Sequence, residues 1–529
     1  MNLRAFLGCL IFILALVSRA KGANILGVFP VSGKSVNILY NKLMKGLADA
    51  GHNVTVISAH NNKLPVLNGT YRDVVLTGFI EDYDKMVDSF LADEEQLGQE
   101  SFTLWESLMY NDLFLPIYNK TLHHPNVRAL LKSNQTFDLV IMEHLWSESI
   151  MAFPAYYNCP SVMFTSMGGI NPWVNEIVGN HMPISYVPHT WMIGDFTGGM
   201  SLYQRFQNLV TYLFDAIIIH YFEIPAQDQI VKLAFPDKSI PSLAQMFHTP
   251  SLLLLGTHSS LRQAAPLVPN VIEIGGFHID PPKKLPKELQ EFFDNAEQGV
   301  IYFSMGSHIR SANFSTKRMK LFLNVFSKLD LKVLWKFEEE LPGKPPNVLI
   351  KKWVPQTDVL AHPNLKLFIT HAGHGSILET IHRGKPALML PVFVDQFNNA
   401  FQSVAKGFAL QLPYADKNFT EEVLLSMIRE MITNPIYTEN AKTISRIYHD
   451  RPMKPLETAV YWIEYIIRNK GADHLKVASI KLPWYKLYMV DVLLFVSVTV
   501  IVAIYAIAYV IGYIVNLCKF NRNIKMKEH

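Results

Sequence analysis

The stretch Val492–Leu517 restricts what this chain can fold into more than any other feature. It is apolar throughout except for Ser497, Thr499 and Asn516. A helix needs about 20 such residues to cross the hydrocarbon core of a bilayer, so this one spans with room to tilt. A core helix of that length would show a polar face, and none is present. Lys519, Arg522, Lys525 and Lys527 follow, against the single acid Glu528. The positive-inside rule therefore puts residues 518–529 in the cytosol and the preceding chain across the membrane. At the other end, Arg4, the apolar run Phe6–Val17 and the small residues Ala20, Gly22 and Ala23 read as a cleaved secretory signal over 1–23. The expected product is a single-pass type I protein with its folded part in the lumen. Lys525 and Lys527, fifth and third from the end, resemble a retrieval address of the endoplasmic reticulum membrane.

What lies between is too long for one hydrophobic core. Asn24–Pro30 reads as a strand, Asn37–Ala50 as a helix closed by Gly51, and Val54–Ser58 as a second strand, the opening of a parallel α/β layer. Asp138–Met142 and Ser161–Thr165 continue it. A second series follows the proline- and lysine-rich stretch Asp280–Lys287: strands at Val300–Ser304, Lys332–Phe337, Val348–Trp353, Leu367–Thr370 and Ala387–Leu390, with helices at Lys317–Lys328 and Ser376–Arg383. The expected organisation is a first domain over 24–280, a linker over 281–297, a second domain over 298–452, helices and a membrane-proximal segment over 453–488, and the span over 489–517. Residues 170–250 are rich in Trp, Phe, Tyr, Met and Pro. That composition suits an apolar cavity or a membrane-facing surface.

Cys159 is the one cysteine left in the lumenal part, since Cys9 falls in the signal and Cys518 at the membrane edge. An intrachain disulfide is excluded there. Sequons at Asn68, Asn119, Asn134, Asn313 and Asn418 are glycosylation candidates, while the one at Asn53 opens a strand and is expected to go unused. A net charge of +3 with dispersed basic residues gives no nucleic-acid footprint.

The chemistry concentrates in Phe368–Gln396. A buried strand ends at Thr370 and a helix begins near Gly375. Gly373 and Gly375 admit close approach of backbone amides, and Ser376 adds a hydroxyl. A diphosphate suits such a helix start, where free N–H groups and the dipole favour negative charge. His371 can donate to a phosphate oxygen, Glu379 can accept from ribose hydroxyls, and Asp395 with Gln396 can bond sugar hydroxyls. This run resembles, position by position, the motif of the UDP-glycosyltransferase family of animals and plants. Lys352-Trp353-Val354-Pro355-Gln356 and Phe303-Ser304-Met305-Gly306-Ser307 match two further family elements. The resemblance implies that Trp353 stacks on uracil, Gln356 bonds the nucleoside, Ser304, Gly306 and Ser307 border the diphosphate, and Lys336 supplies a basic group. It also implies a GT-B fold of two Rossmann-like domains with a cleft between them, inverting hexosyl transfer (glucose or glucuronic acid) from a UDP-sugar to a small lipophilic acceptor, and no metal or other cofactor.

Gly375 departs from the family locally, since many relatives have asparagine there, and a second departure bears on the chemistry. Relatives carry a catalytic histidine in the loop after the first strand, and here it falls on Val36, within Ser32–Asn37. The residue at the place of its acidic partner is Glu143. A general base contributes about 10²–10⁴ in rate, so three readings stay open. Glu143 acts as base, the acceptor needs little deprotonation, or the chain binds UDP-sugar and lipophile without transferring. Gly33-Lys34-Ser35 fails as a phosphate-binding P-loop because the spacing requires glycine where Val28 stands. Asp82-Tyr83-Asp84 lies in an acidic run and reads as solvated charge.

Overall fold

The computed structural model describes residues 22–90, 105–167, 172–196, 198–307, 309–392 and 395–525. The signal reading over 1–23, apart from its last two residues, and Cys9 lie outside them. Two compact units are separated at Leu475 and Lys476.

The larger unit holds two parallel sheets. Strands β1 (Asn24–Phe29), β2 (Asn53–Ser58), β3 (Thr70–Val75), β4 (Leu139–Glu143), β5 (Ser161–Thr165), β6 (Leu252–Leu255) and β7 (Val271–Glu273) form the first, in spatial order β3-β2-β1-β4-β5-β6-β7. Strands β8 (Val300–Ser304), β9 (Lys332–Lys336), β10 (Val348–Lys351), β11 (Leu365–Thr370), β12 (Ala387–Met389) and β13 (Ala409–Gln411) form the second, in order β10-β9-β8-β11-β12-β13. The order reverses beside β1 in one sheet and beside β8 in the other. Ligands of open α/β sheets bind outside the strand carboxyl ends at such switch points. β1, β4, β5 and β8 are continuous apolar runs because both faces of these central strands are covered.

Of the stretch 281–297, the part Lys287–Asp294 is helix, and its Leu289 and Phe293 are buried against β8 and β11. The chain also returns. Helix Pro455–Arg468 follows the second sheet, yet it lays Ala459, Ile463 and Ile466 on the core of the first. Cross-links secure the return: Tyr448 Oη donates to Gly275 O at 2.8 Å and Arg451 Nη1 to the same oxygen at 2.9 Å.

Asn53 opens β2 and its amide donates to Asn24 Oδ1. Asn68, Asn119, Asn134 and Asn418 are exposed. In the smaller unit, helix Val490–Lys525 has no buried residue within its bilayer-length part, Val490–Lys519.

Candidate active site

A cavity of about 520 Å³ opens between the two sheets. Its walls come from the carboxyl ends of both, as the switch points require.

On one side stands the turn from β11 into helix His374–Arg383. Ala372 adopts φ +65°, a left-handed conformation that costs a residue with a Cβ about 1–2 kcal/mol. This turn projects the His371 ring into a slot between two glycines. A Cβ on Gly306 would lie 2.4 Å from His371 Cε1, and one on Gly373 would lie 2.4 Å from Nε2. Both glycines are therefore required by the histidine itself. At Gly375 a Cβ would meet nothing within 4 Å, so that residue is glycine for another reason than space. Helix His374–Arg383 has no acid in its first turn, which leaves its N-terminal field uncompensated and suited to an anion.

A chain of polar contacts continues from there. Gln356 Nε2 donates to Glu379 Oε2 at 2.7 Å and to Ser376 Oγ at 3.1 Å, while its Oε1 accepts from Tyr302 Oη at 3.1 Å. His278 Nε2 lies 3.7 Å from Glu379 Oε1. Trp353 also lines the cavity and is 57% exposed, so an apolar plate faces it. Lys336 is buried, with Nζ 2.6 Å from Glu338 Oε1. Asp395 accepts from Asn399 Nδ2 at 2.7 Å, and burial raises its carboxyl to about 6. Gln396 Oε1 accepts from Val392 N at 2.9 Å.

The opposite side is apolar. Val31, Val36 and Leu39 come from the end of β1 and helix Lys34–Asp49. Met86 and Val87 come from helix Phe79–Phe90, and Phe114, Leu145, Trp146 and Met167 complete the wall. Phe114 stacks on Trp146 with ring centroids 5.4 Å apart. No described residue of 172–250 borders the cavity. The described aromatic residues there divide between the core, as with Trp191, Phe235 and Phe247, and an exposed face, as with Tyr203, Phe206, Tyr221 and Phe222.

Val36 stands at the cavity wall. Glu143, at the carboxyl end of β4, is 2% exposed and is not itself among the lining residues. Its link to the cavity is Ser166, a lining residue whose hydroxyl donates to Glu143 Oε1. Burial raises the Glu143 carboxyl to about 7, opposed by that hydrogen bond. His144 is buried and turned toward Glu148, its Nε2 3.2 Å from Glu148 Oε1. His374 also borders the cavity but is buried: its Nε2–H donates to Gly256 O at 2.8 Å, and burial lowers it to about 4, so it is a neutral tie to the first sheet.

All the donor-side residues expected from sequence thus border one cavity: Ser304, Gly306, Ser307, Lys336, Trp353, Gln356, His371, Gly373, Gly375, Ser376, Glu379, Asp395 and Gln396. Sequence reasoning missed Tyr302, His278 and Ser166. Tyr302 lies within a strand and His278 beside the linker, and nothing local marks either. Ser166 follows a buried strand immediately, where strand ends collect ligand-binding side chains. That signal was available. Among the described residues no group of three His, Cys, Asp or Glu side chains is gathered as a metal site.

The match to known proteins runs along the whole of this arrangement. The family model described as UDP-glucoronosyl and UDP-glucosyl transferase covers residues 25–527. The chain belongs to that family. UDP-glucosyltransferase 2 of Dactylopius coccus is 35% identical over 502 residues, 94% of each chain. UDP-glucuronosyltransferase 2B13 of Oryctolagus cuniculus is 32% identical over 493 residues, 88% of each. Among solved structures, the calicheamicin glycosyltransferase CalG4 superposes with a TM-score of 0.56 at 15% identity, over 85% of this chain and 99% of its own. Glycosyltransferase VinC in complex with DTDP gives 0.55 at 17%, over 84% and 100%. The fold is GT-B, and the chain is a glycosyltransferase whose family implies a UDP-sugar donor and an acceptor.

Proposed function

We propose that the chain transfers a neutral hexose, glucose foremost, from its UDP conjugate to a hydroxyl of a small lipophilic acceptor with inversion. Ser166 and Glu143 together remove the acceptor proton. The observation that carries this is the hydrogen bond from Ser166, at the cavity wall, to a buried carboxyl raised to about 7. The acceptor oxygen bonds to the anomeric carbon as the bond from that carbon to the β-phosphate oxygen breaks. The acceptor proton passes to Ser166 Oγ while the serine proton passes to Glu143. UDP departs toward the amides at the start of helix His374–Arg383 and toward His371, where its growing charge is met by fixed donors.

The neutral sugar follows from charge. Among the described lining residues Lys336 is the one lysine or arginine, and Glu338 already pairs with it. Asp395 and Glu379 add negative potential. A hexuronate carboxylate would enter without a cation to receive it. The apolar wall from Val31 to Met167 supports the lipophilic acceptor. The signal reading and the basic tail support residence in the endoplasmic reticulum membrane with the sheets in the lumen.

Glu143→Gln is the test. Turnover with UDP-glucose and a neutral alcohol should fall about 10²–10⁴-fold, with UDP affinity unchanged. The wild-type rate should climb as pH passes about 7, where the carboxyl ionises, and the variant should lose that limb. Ser166→Ala should fall comparably, and the double variant no further. Full turnover by Glu143→Gln would mean that the acceptor needs little deprotonation. UDP binding without product across phenols, amines and carboxylates would mean that the protein binds without transferring.

A further inference from the structure

The helix Leu202–Ile218 is built inside out. Surface helices of globular proteins turn their apolar stripe to the core and their polar face to water. Here three of the four buried residues are polar, Asn208, Thr211 and Asp215, with Asn208 0% and Asp215 4% exposed, and Ile218 at the helix end is the fourth. The outward stripe is Leu202 (76% exposed), Phe206 (61%), Leu209, Leu213 (56%) and Ile217 (50%). Its spacing of three and four keeps those side chains on one face. The stripe extends past the helix end to Tyr221 and Phe222, both exposed, on the π-helical turn Ile219–Glu223.

This orientation is locked. Asn208 Nδ2 donates to Ile184 O and Val187 O at 2.8 and 2.9 Å, and its Oδ1 accepts from His189 N at 2.7 Å. Asp215 Oδ2 lies 3.1 Å from His189 Nε2. Rolling the helix to hide its leucines would break every one of these bonds and leave buried polar groups unpaired. The apolar face needs an apolar medium outside the fold.

The chain names one. Helix Val490–Lys519 is long and apolar enough to cross a bilayer, so a lipid surface is at hand wherever the protein is anchored. The stripe itself suits that surface. Arg205 is the one charged side chain of Leu202–Ile218 besides the buried Asp215, and it is exposed and cationic. Tyr203, Phe206, Tyr221 and Phe222 supply the aromatic rings that favour the headgroup level. We propose that the outer face of Leu202–Ile218 beds into the interfacial layer of a phospholipid bilayer, a second membrane contact that does not cross. On its inner side His189 leads to Trp191, which stacks on Trp146 of the cavity wall at 6.0 Å. The contact thus backs onto the lipophilic end of the site.

The full chain, with Cys9, Cys159 and Cys518 changed to serine, is reconstituted in phosphatidylcholine vesicles. An environment-sensitive fluorophore is attached at Leu209→Cys, Leu213→Cys or Ile217→Cys, with Lys287→Cys as the solvent control. UDP binding serves as the check of folding. Emission at the three helix positions should be blue-shifted, and quenched when the lipid chains are brominated, with neither effect at 287. Water-like, unquenched emission in UDP-binding protein would overturn the proposal. So would a blue shift without bromine quenching but with energy transfer between differently labelled copies, which would assign the face to a second copy of the chain. A measurement without any substitution stands beside it. A photoactivatable phosphatidylcholine should label the unmodified chain within 202–222 as well as 490–519, and labelling confined to the latter would sink the idea.

Discussion

The two walls of the cleft are made differently. On the donor side one contiguous stretch, Phe368–Gln396, supplies a strand end, a helix start and six of the lining side chains, aided by short loops at Ser304–Ser307 and Trp353–Gln356. The acceptor wall is assembled from five separated segments between Val31 and Met167, with side chains and no repeated pattern. A diphosphate can be met by backbone amides, and a backbone conformation is written locally. A lipophile is met by shape, and shape is the sum of distant side chains. Substitutions should therefore act on the donor wall through the main chain and on the acceptor wall through volume.

Among substitutions that contrast the two walls, the largest effect is expected at Gly306→Ala. The new Cβ would collide with the His371 ring, and the φ of +80° strains any residue but glycine. UDP affinity should fall about 10²-fold, read by calorimetry; an unchanged affinity would remove His371 and its slot from the donor site. Next comes Trp353→Ala, which deletes an exposed aromatic plate. About a tenfold loss in UDP affinity is expected, the scale of one base–aromatic stack, and a loss confined to the acceptor KM would move Trp353 to the other wall. Phe114→Leu should reverse the pattern, raising the acceptor KM by about tenfold or less while sparing UDP.

A smaller effect concerns pH. The Glu143 carboxyl is raised in the folded chain to about 7, above its value when unfolded. Its neutral form therefore favours the fold at low pH, and that contribution is lost as pH rises through about 7. Asp395, raised to about 6, acts in the same direction. Thermal unfolding should fall less steeply with rising pH in Glu143→Gln than in wild type, and identical slopes would argue against a neutral buried carboxyl. Smallest of all is Gly375→Asn. With open space at its Cβ, UDP affinity should hold within about twofold, the range expected where no contact is made or broken. A large loss there would erase the contrast with Gly306.

Much of this was legible in the chain, unevenly. Apolar runs located β1, β2, β4, β5, β8, β9, β10, β11 and β12 to within two residues at each end, because parallel strands covered on both faces read as apolar runs. Periodicity missed the return of Pro455–Arg468 onto the first sheet, since a helix pattern states that a face is buried and not what buries it. Lys336, His371 and Glu379 were found because a local motif carries them. Tyr302 and His278 were not, because each reaches the cleft through contacts distant in sequence.

From Phe368 to Gln396 the order of residues by itself determined a strand-to-helix turn suited to an anion, since a strand end, two glycines and a helix start are consequences of local φ and ψ. It also marked Val492–Leu517 as long and apolar enough to cross a bilayer, a property of composition and length alone. The remainder waited on folding. Gly306 and Gly373 turned out to make room for His371 rather than only for a ligand. Glu143 turned out to reach the cavity through Ser166. Of the described aromatic residues in 172–250, Tyr203, Phe206, Tyr221 and Phe222 came to the surface while Trp191, Phe235 and Phe247 joined the core. Each was decided by which side chain ended beside which, and proximity between distant residues is set by the packing of whole layers, a quantity no short stretch of sequence contains.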